Sequence, residues 1–176
     1  MTGEPSLTIA SLDGAGADRA IPELARVLCD CVEGGASVSF MAPLSLDKAI
    51  AFWAAVAAAV DREATALLVA IADGEIVGTV QLLLALPENQ PHRAEVAKLL
   101  VHRQARRRGV ADALMREAER EAMTRGRTLL TLDTASPDAE RVYQRLGWQR
   151  CGRIPGYALY PDGRPCDTVI YWKQLA

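Results

Sequence analysis

One stretch limits the folds open to this chain more than any other: Leu99-Leu100-Val101-His102-Arg103-Gln104-Ala105-Arg106-Arg107-Arg108-Gly109-Val110-Ala111. An apolar run ends as a strand, a short basic loop follows, and a helical pattern starts at about Arg107. Such a loop exposes consecutive backbone N–H groups at the positive end of a helix dipole, a ready seat for phosphate. Gly109 has no Cβ to hold a ligand away from the backbone, and Ala111 is nearly as small. Arg106, Arg107 and Arg108 add charge that suits a multiply anionic ligand. The competing reading is a solvated basic turn. The loop lacks the Gly-Lys-Ser/Thr ending of a Walker A loop and the three ordered glycines of a dinucleotide fingerprint.

The rest of the chain supplies a layered frame for that loop. Leu7 to Ser11 reads as a strand. Gly14 to Gly16 reads as a turn, and a helix is predicted from Asp18 to Glu33, because Ile21, Leu24, Ala25, Leu28 and Val32 recur at helical spacing. Gly34-Gly35 ends it. Ser45 can cap a second helix with Ile50, Trp53, Val56, Ala57 and Val60 on its apolar face. Ala66 to Ala72 and Glu75 to Leu86 are β-branched runs joined by Asp73-Gly74, a hairpin signal. Arg93 to Val101 is a further strand. Arg107 to Arg125 is a helix with Val110, Ala113, Leu114 and Ala118 inward. Thr128 to Asp133 is a strand. Ser136-Pro137-Asp138 starts a helix that runs to about Leu146, and strands follow near Trp148 to Ile154 and Asp167 to Lys173. The pattern is a mixed α/β layer fold, expected as one domain over residues 1–176.

Charge and cysteine usage narrow the partners. With a net charge of −2 there is no global positive field to hold nucleic acid or an anionic membrane, so neither is expected as a partner. The opening residues, MTGEPSLTIA, lack a cationic start followed by an apolar block, so no signal peptide is expected. The apolar helical run Ala49 to Val60 is too short to span a bilayer. The four cysteines, Cys29, Cys31, Cys151 and Cys166, form no CxxC pair, and no histidine cluster joins them. Reduced thiols, a cytoplasmic location and no metal are the reading.

A second element follows the phosphate loop: Leu132-Asp133-Thr134, then Ser136, then Ala139-x-x-x-Tyr143-x-x-x-Gly147-Trp148. Taken with Arg106-x-x-Gly109-x-Ala111, it resembles the GNAT superfamily of N-acetyltransferases, whose acyl-CoA pyrophosphate signature is Gln/Arg-x-x-Gly-x-Gly/Ala. Trp148 stands where that family usually has Phe. Gly34-Gly35-Ala36-Ser37-Val38-x-Phe40-Met41-Ala42, Arg93-Ala94-Glu95-Val96-x-Lys98-Leu99 and Gly156-Tyr157 look like the tabtoxin-resistance type within it. The resemblance covers nearly the whole chain. It implies a central mixed, mostly antiparallel sheet flanked by helices, with acetyl-CoA as cosubstrate. The implied acceptor is a small-molecule amine such as an amino-acid-like antibiotic, with drug resistance as the consequence. Acetylation of a protein or peptide amine and a non-catalytic acyl-CoA sensor are the rival readings. Homodimers are common in the superfamily, though no feature here demands one.

The resemblance also implies roles. Leu99, Leu100 and Val101 should splay from the strand leaving Trp148 and offer backbone groups to pantetheine. The main chain from Arg106 through Arg107, Arg108, Gly109 and Val110 to Ala111 should hold pyrophosphate. Tyr143 falls where the family's general acid lies, able to protonate a leaving thiolate; a core aromatic is the other reading. Glu95 is a candidate general base or a solvent-facing strand acid. Asp133 can anchor or orient the substrate ammonium, or satisfy loop N–H groups. Ser136 reads as a helix cap first and a CoA ligand second. Phe40, Met41 and Tyr157 are placed around the acceptor, with Tyr157 and Tyr160 in a turn-rich loop from Pro155 to Pro165. Core packing is the plain alternative for Met41 and Trp53.

Overall fold

The computed structural model describes residues 7–175. The part of the leader expectation that concerns residues 1–6 lies outside the described residues. In chain order the elements are β1 (Thr8–Leu12), α1 (Gly14–Glu33), α2 (Leu46–Asp61), β2 (Thr65–Ala72), β3 (Glu75–Leu83) and β4 (Arg93–Val101). A 3₁₀ turn (Arg103–Ala105) leads to α3 (Val110–Thr124), β5 (Leu129–Thr134), α4 (Pro137–Arg145), β6 (Gln149–Leu159) and β7 (Pro165–Gln174).

The seven strands form one sheet in the order β1-β2-β3-β4-β5-β7-β6. Every neighbouring pair is antiparallel except β4 with β5. Because the sheet is covered on both faces, its central strands must be apolar on both, and residues 65–70 of β2 are all buried. Leu68, Val80, Leu82, Leu114, Met115 and Leu130 pack on the face covered by α3. Leu24, Leu28, Trp53, Leu67, Val69 and Leu100 pack on the opposite face, under α1 and α2. Each fully buried leucine contributes about 1.5–3 kcal/mol relative to exposure.

The β4–β5 pair makes the functional opening. Parallel pairing covers only Arg93–Glu95 against Leu129–Thr131, after which the two strands part. Lys98, at a left-handed φ of 51°, accompanies the break in register against β3. A bulge of this kind re-aims the strand and ends pairing.

Several boundaries differ from the sequence-based expectation, each for a local reason. Helix α1 begins at Gly14, not Asp18, because Asp13 caps it: its Oδ1 accepts the Gly16 N–H at 2.6 Å. The Gly14–Gly16 stretch is therefore the first turn of a helix. Gly14 is demanded by close packing, since a Cβ there would meet Asp61 Oδ1 at 2.7 Å. Strand β3 stops at Leu83, because the Leu84 and Ala85 N–H groups both turn to the Ala64 carbonyl. Helix α3 starts three residues later than expected, at Val110, because Arg107 (φ 60°) and Gly109 (φ 77°) are left-handed and cannot be helical. Its inward face uses Met115, while Ala113 is half-buried. Strand β6 continues past Pro155 to Leu159, so Tyr157 lies in a strand and not in a loop. That is tolerated because β6 is an edge strand with a break in register between Ile154 and Ala158.

Candidate active site

Strand β4, the loop after it, α4 and the β6–β7 hairpin enclose a cleft of about 1290 Å³. That exceeds the roughly 300–1,000 Å³ of an ordinary small-ligand pocket and leaves room for two reactants. Its donor end is the basic loop. The N–H groups of residues 107–112 donate to no acceptor among the described residues, and the first helical bond of α3 runs from Ala113 N–H to the Gly109 carbonyl at 3.0 Å. Six consecutive amides at a helix start form an anion cradle, with Gly109 at the left-handed position that a side chain would strain. A Cβ at Gly109 would meet nothing in the protein within 4 Å, so the space above it is open to a ligand.

The loop is held from below by contacts that sequence reasoning missed. Asp30, near the end of α1, accepts from the Arg103 N–H and Nε, both at 2.8 Å, and lies 3.5 Å from His102 Nε2. Burial alone would raise the Asp30 carboxyl. The Arg103 hydrogen bonds and the His102 and Arg103 charges outweigh it and hold the group below its usual range. His102 also accepts the Gln104 N–H at its Nδ1, 3.3 Å away. His102 and Arg103 thus brace the loop.

Some loop residues depart from expectation. The Arg106 N–H is engaged with the Arg103 carbonyl at 3.4 Å, and its Nε donates to the Val101 carbonyl at 3.2 Å. Arg106 therefore lies at the cradle's edge, outside the free amides, and the Val101 carbonyl is occupied. Arg108 does not line the cleft, whereas Arg107, Gly109, Val110 and Ala111 do. The strand that parts from β4 is β5, not the strand leaving Trp148. The reason is sheet order: β7 and β5 intervene between β6 and β4.

Tyr143 is buried, yet its side chain lines the cleft, and no described residue gives its hydroxyl a hydrogen-bond partner. Burial first, then the Asp133 and Tyr171 charges, push the phenol well above its ordinary value, so it keeps its proton at neutral pH. Trp148 and Tyr171 hold the ring at centroid distances of 5.9 and 5.7 Å. Trp148 Nε1 donates to Glu119 Oε1 at 2.8 Å, which fixes the tryptophan that stands in the place of a phenylalanine. Ser136 caps α4, accepting the Ala139 N–H at 3.2 Å, and also lines the cleft. Asp112, in the first turn of α3, is ion-paired with Arg145 and held below its usual pKa by that hydrogen bond.

The acceptor end gathers residues from distant parts of the chain. Glu95 on β4 and Asp133 on β5 both line it. Thr168 donates to Asp133 Oδ2 at 2.7 Å and fixes the carboxylate. Phe40 and Met41 line the cleft, as does Tyr157. Met41 is 45% exposed, so core packing is excluded for it, while Trp53 is 1% exposed and belongs to the core. The segment carrying Phe40 and Met41 is fastened to the β6–β7 hairpin. Ser37 Oγ donates to the Leu159 carbonyl at 2.8 Å, and the Ala42 N–H donates to the Pro161 carbonyl at 3.0 Å. Lys98, which the sequence places in the segment from Arg93 to Leu99 without a site role, also lines the cleft, a charged residue inside the apolar run Val96–Val101. Leu99 and Leu100 complete the strand's share of the lining.

A family model described as the Acetyltransferase (GNAT) family matches residues 35–148, which include the cradle, Glu95, Asp133 and Tyr143. The chain belongs to the GNAT acetyltransferases. Solved structures share the fold at low identity. An N-acetyltransferase from Staphylococcus aureus Mu50 is 17% identical over 97% of this chain and 99% of its own, with a TM-score of 0.79. A GNAT superfamily phosphinothricin acetyltransferase from Sinorhizobium meliloti, solved in complex with AcCoA, is 18% identical over 97% of this chain and 89% of its own, at 0.79. A ribosomal-protein-alanine N-acetyltransferase from Brucella melitensis is 22% identical over 96% and 99%, at 0.78. Among the described residues of this GNAT chain, no helix is long and apolar enough to cross a membrane, and no group of three or more His, Cys, Asp or Glu residues is placed to hold a metal.

Proposed function

We propose that this GNAT protein transfers an acetyl group from acetyl-CoA to the amine of a small, amino-acid-like molecule. One observation carries the reading: unpaired amides of residues 107–112 and the unpartnered hydroxyl of Tyr143 open onto the same cleft. The cradle fits a pyrophosphate, and the edge of β4 freed by its divergence from β5 fits the pantetheine amides. That the Sinorhizobium relative was solved in complex with AcCoA supports this reading.

The chemistry asks three things of the protein. The acceptor ammonium must lose a proton; Glu95 is the general base, directly or through water, with Asp133 holding and orienting the ammonium. The amine nitrogen then bonds to the thioester carbonyl carbon. As the tetrahedral intermediate collapses, the C–S bond breaks, the electron pair leaves with sulfur, the Tyr143 hydroxyl donates to the thiolate, and the surplus proton on nitrogen passes through water to restore the phenol. Burial holds the phenol above its ordinary value, so Tyr143 carries the proton this step needs. Ser136 serves as cap and lies within the cleft; Phe40, Met41 and Tyr157 wall the acceptor.

The tie between the 37–42 segment and the β6–β7 hairpin favours a small acceptor over a protein tail, because it narrows the acceptor end. A phosphinothricin acetyltransferase among the relatives points the same way, toward resistance to an amino-acid-like toxin of the tabtoxinine-β-lactam or phosphinothricin kind. The test is a CoA-release screen over free amino acids, β-lactam amino acids, aminoglycosides and peptides. Turnover of amino-acid-like amines is expected. CoA release with peptides alone would replace this reading with a peptide acetyltransferase, and acetyl-CoA binding without turnover of any amine would leave a sensor.

A further inference from the structure

Among the described residues, Lys98 is the one cation lining the acceptor end of the cleft. The other lining cations, Arg106, Arg107, Arg141 and Arg145, all belong to the phosphate loop or to α4 at the donor end. The bulge at Lys98, with its left-handed φ of 51°, places the side chain on the face shared with Ser39 and Phe52. Its Nζ donates to Ser39 Oγ at 3.1 Å and stands 5.8 Å from the Phe52 ring centroid. Glu95 and Asp133 are near enough to act on its charge, yet among the described residues Lys98 forms no ion pair. Burial outweighs those two carboxylates and lowers the ammonium below its ordinary pKa. A half-buried ammonium with one hydroxyl for a partner is costly, and a ligand anion would remove that cost.

We infer that Lys98 receives an anionic group of the acceptor, so that the cleft selects zwitterions in which an amine lies beside a carboxylate or similar anion. Glu95 and Asp133 offer negative charge to the ammonium; Lys98, three residues beyond Glu95 at the bulge, offers positive charge to the anion. A site built this way rejects a neutral analogue because its own charge is then left unpaired. The inference rests on the acetyl-transfer reading for the placement of the amine, but its test does not require turnover.

The experiment compares L-methionine, L-glutamate and phosphinothricin with their α-carboxamides by calorimetric titration into the CoA-loaded protein, with CoA release measured in parallel. The wild-type protein is expected to bind at least one acid about ten- to a hundredfold more tightly than its carboxamide, the range of a hydrogen bond to a charged group. Lys98→Met should abolish that preference while leaving carboxamide affinity and the melting temperature unchanged, and Lys98→Arg should retain part of it. Equal binding of acids and carboxamides by the wild-type protein would overturn the inference, as would a Lys98→Met variant that keeps the preference or loses both ligands alike. Selective binding without CoA release would sink the acetyl-transfer reading and leave the role of Lys98 standing.

Discussion

At the end of the cleft proposed for the donor, a single short stretch from Arg107 to Asp112 presents unpaired backbone amides. At the acceptor end, Ser39, Glu95, Lys98, Asp133, Tyr157 and Thr168 come from segments as far apart as the α1–α2 connection and the last strand, and there the side chains matter. The difference is physical. A diphosphate asks only for N–H groups at a helix start, which any chain can present locally with a glycine in the right place. An acceptor is recognised by charge and shape, which must be assembled from several elements at once.

That contrast can be broken by substitution. The largest effect is expected from Tyr143→Phe, which removes the hydroxyl proposed to protonate the leaving thiolate. Turnover should fall about 10²–10³-fold with little change in the KM for acetyl-CoA, measured by steady-state CoA release. In the wild-type protein the phenol is held above its ordinary range, so no alkaline limb should appear at the ordinary tyrosine value of about 10. Next comes Gly109→Val, a donor-side change. Since a Cβ there meets no protein atom, the damage is backbone strain and a blocked ligand. The KM for acetyl-CoA should rise on the order of tenfold to a hundredfold while the relative ranking of amines stays fixed.

Glu95→Gln addresses the acceptor side alone. It should lower kcat/KM for the amine about tenfold at neutral pH, with acetyl-CoA affinity unchanged; a shift in acetyl-CoA affinity of similar size would place Glu95 on the donor side instead. The smallest effect is expected from Asp112→Asn. The Arg145 pair depresses the Asp112 carboxyl, so its stabilisation is present above the ordinary carboxylate range and is lost as pH falls through the lowered folded-state value. Thermal melts should show the variant about 1–2 °C less stable at pH 7, and the gap should close at acid pH.

Legibility in the sequence follows the same division. The cradle could be read because Arg106 to Ala111 is contiguous and its glycine spacing has a mechanism. The helix that carries Tyr143 could be read because Ser136-Pro137-Asp138 marks its start, whereas the role given to Tyr143 comes from the resemblance. The sheet was readable from the β-branched runs and the Asp73-Gly74 turn, but its order was not: that β5 and β7 lie between β4 and β6 depends on which strands find partners across the fold. Arg106 lines the cleft, but its N–H is not among the free amides because the Arg103 carbonyl takes it, a 3₁₀ turn that no periodicity signals. Lys98 carries no site role in the sequence because it looks like a surface lysine until the bulge is known. Thr168 escaped because its bond to Asp133 spans 35 residues.

The fastening of the 37–42 segment to the β6–β7 hairpin runs through two carbonyls, those of Leu159 and Pro161, and the hydroxyl and amide that reach them. The Ala42–Pro161 tie is backbone to backbone, and the Ser37–Leu159 tie asks only for a hydroxyl at position 37, so the other side chains of the two pieces are free of it. Apart from Ser37, that wall can therefore be redecorated residue by residue while the path of the chain along the cleft, and the free amides of residues 107–112 across from it, stay as they are.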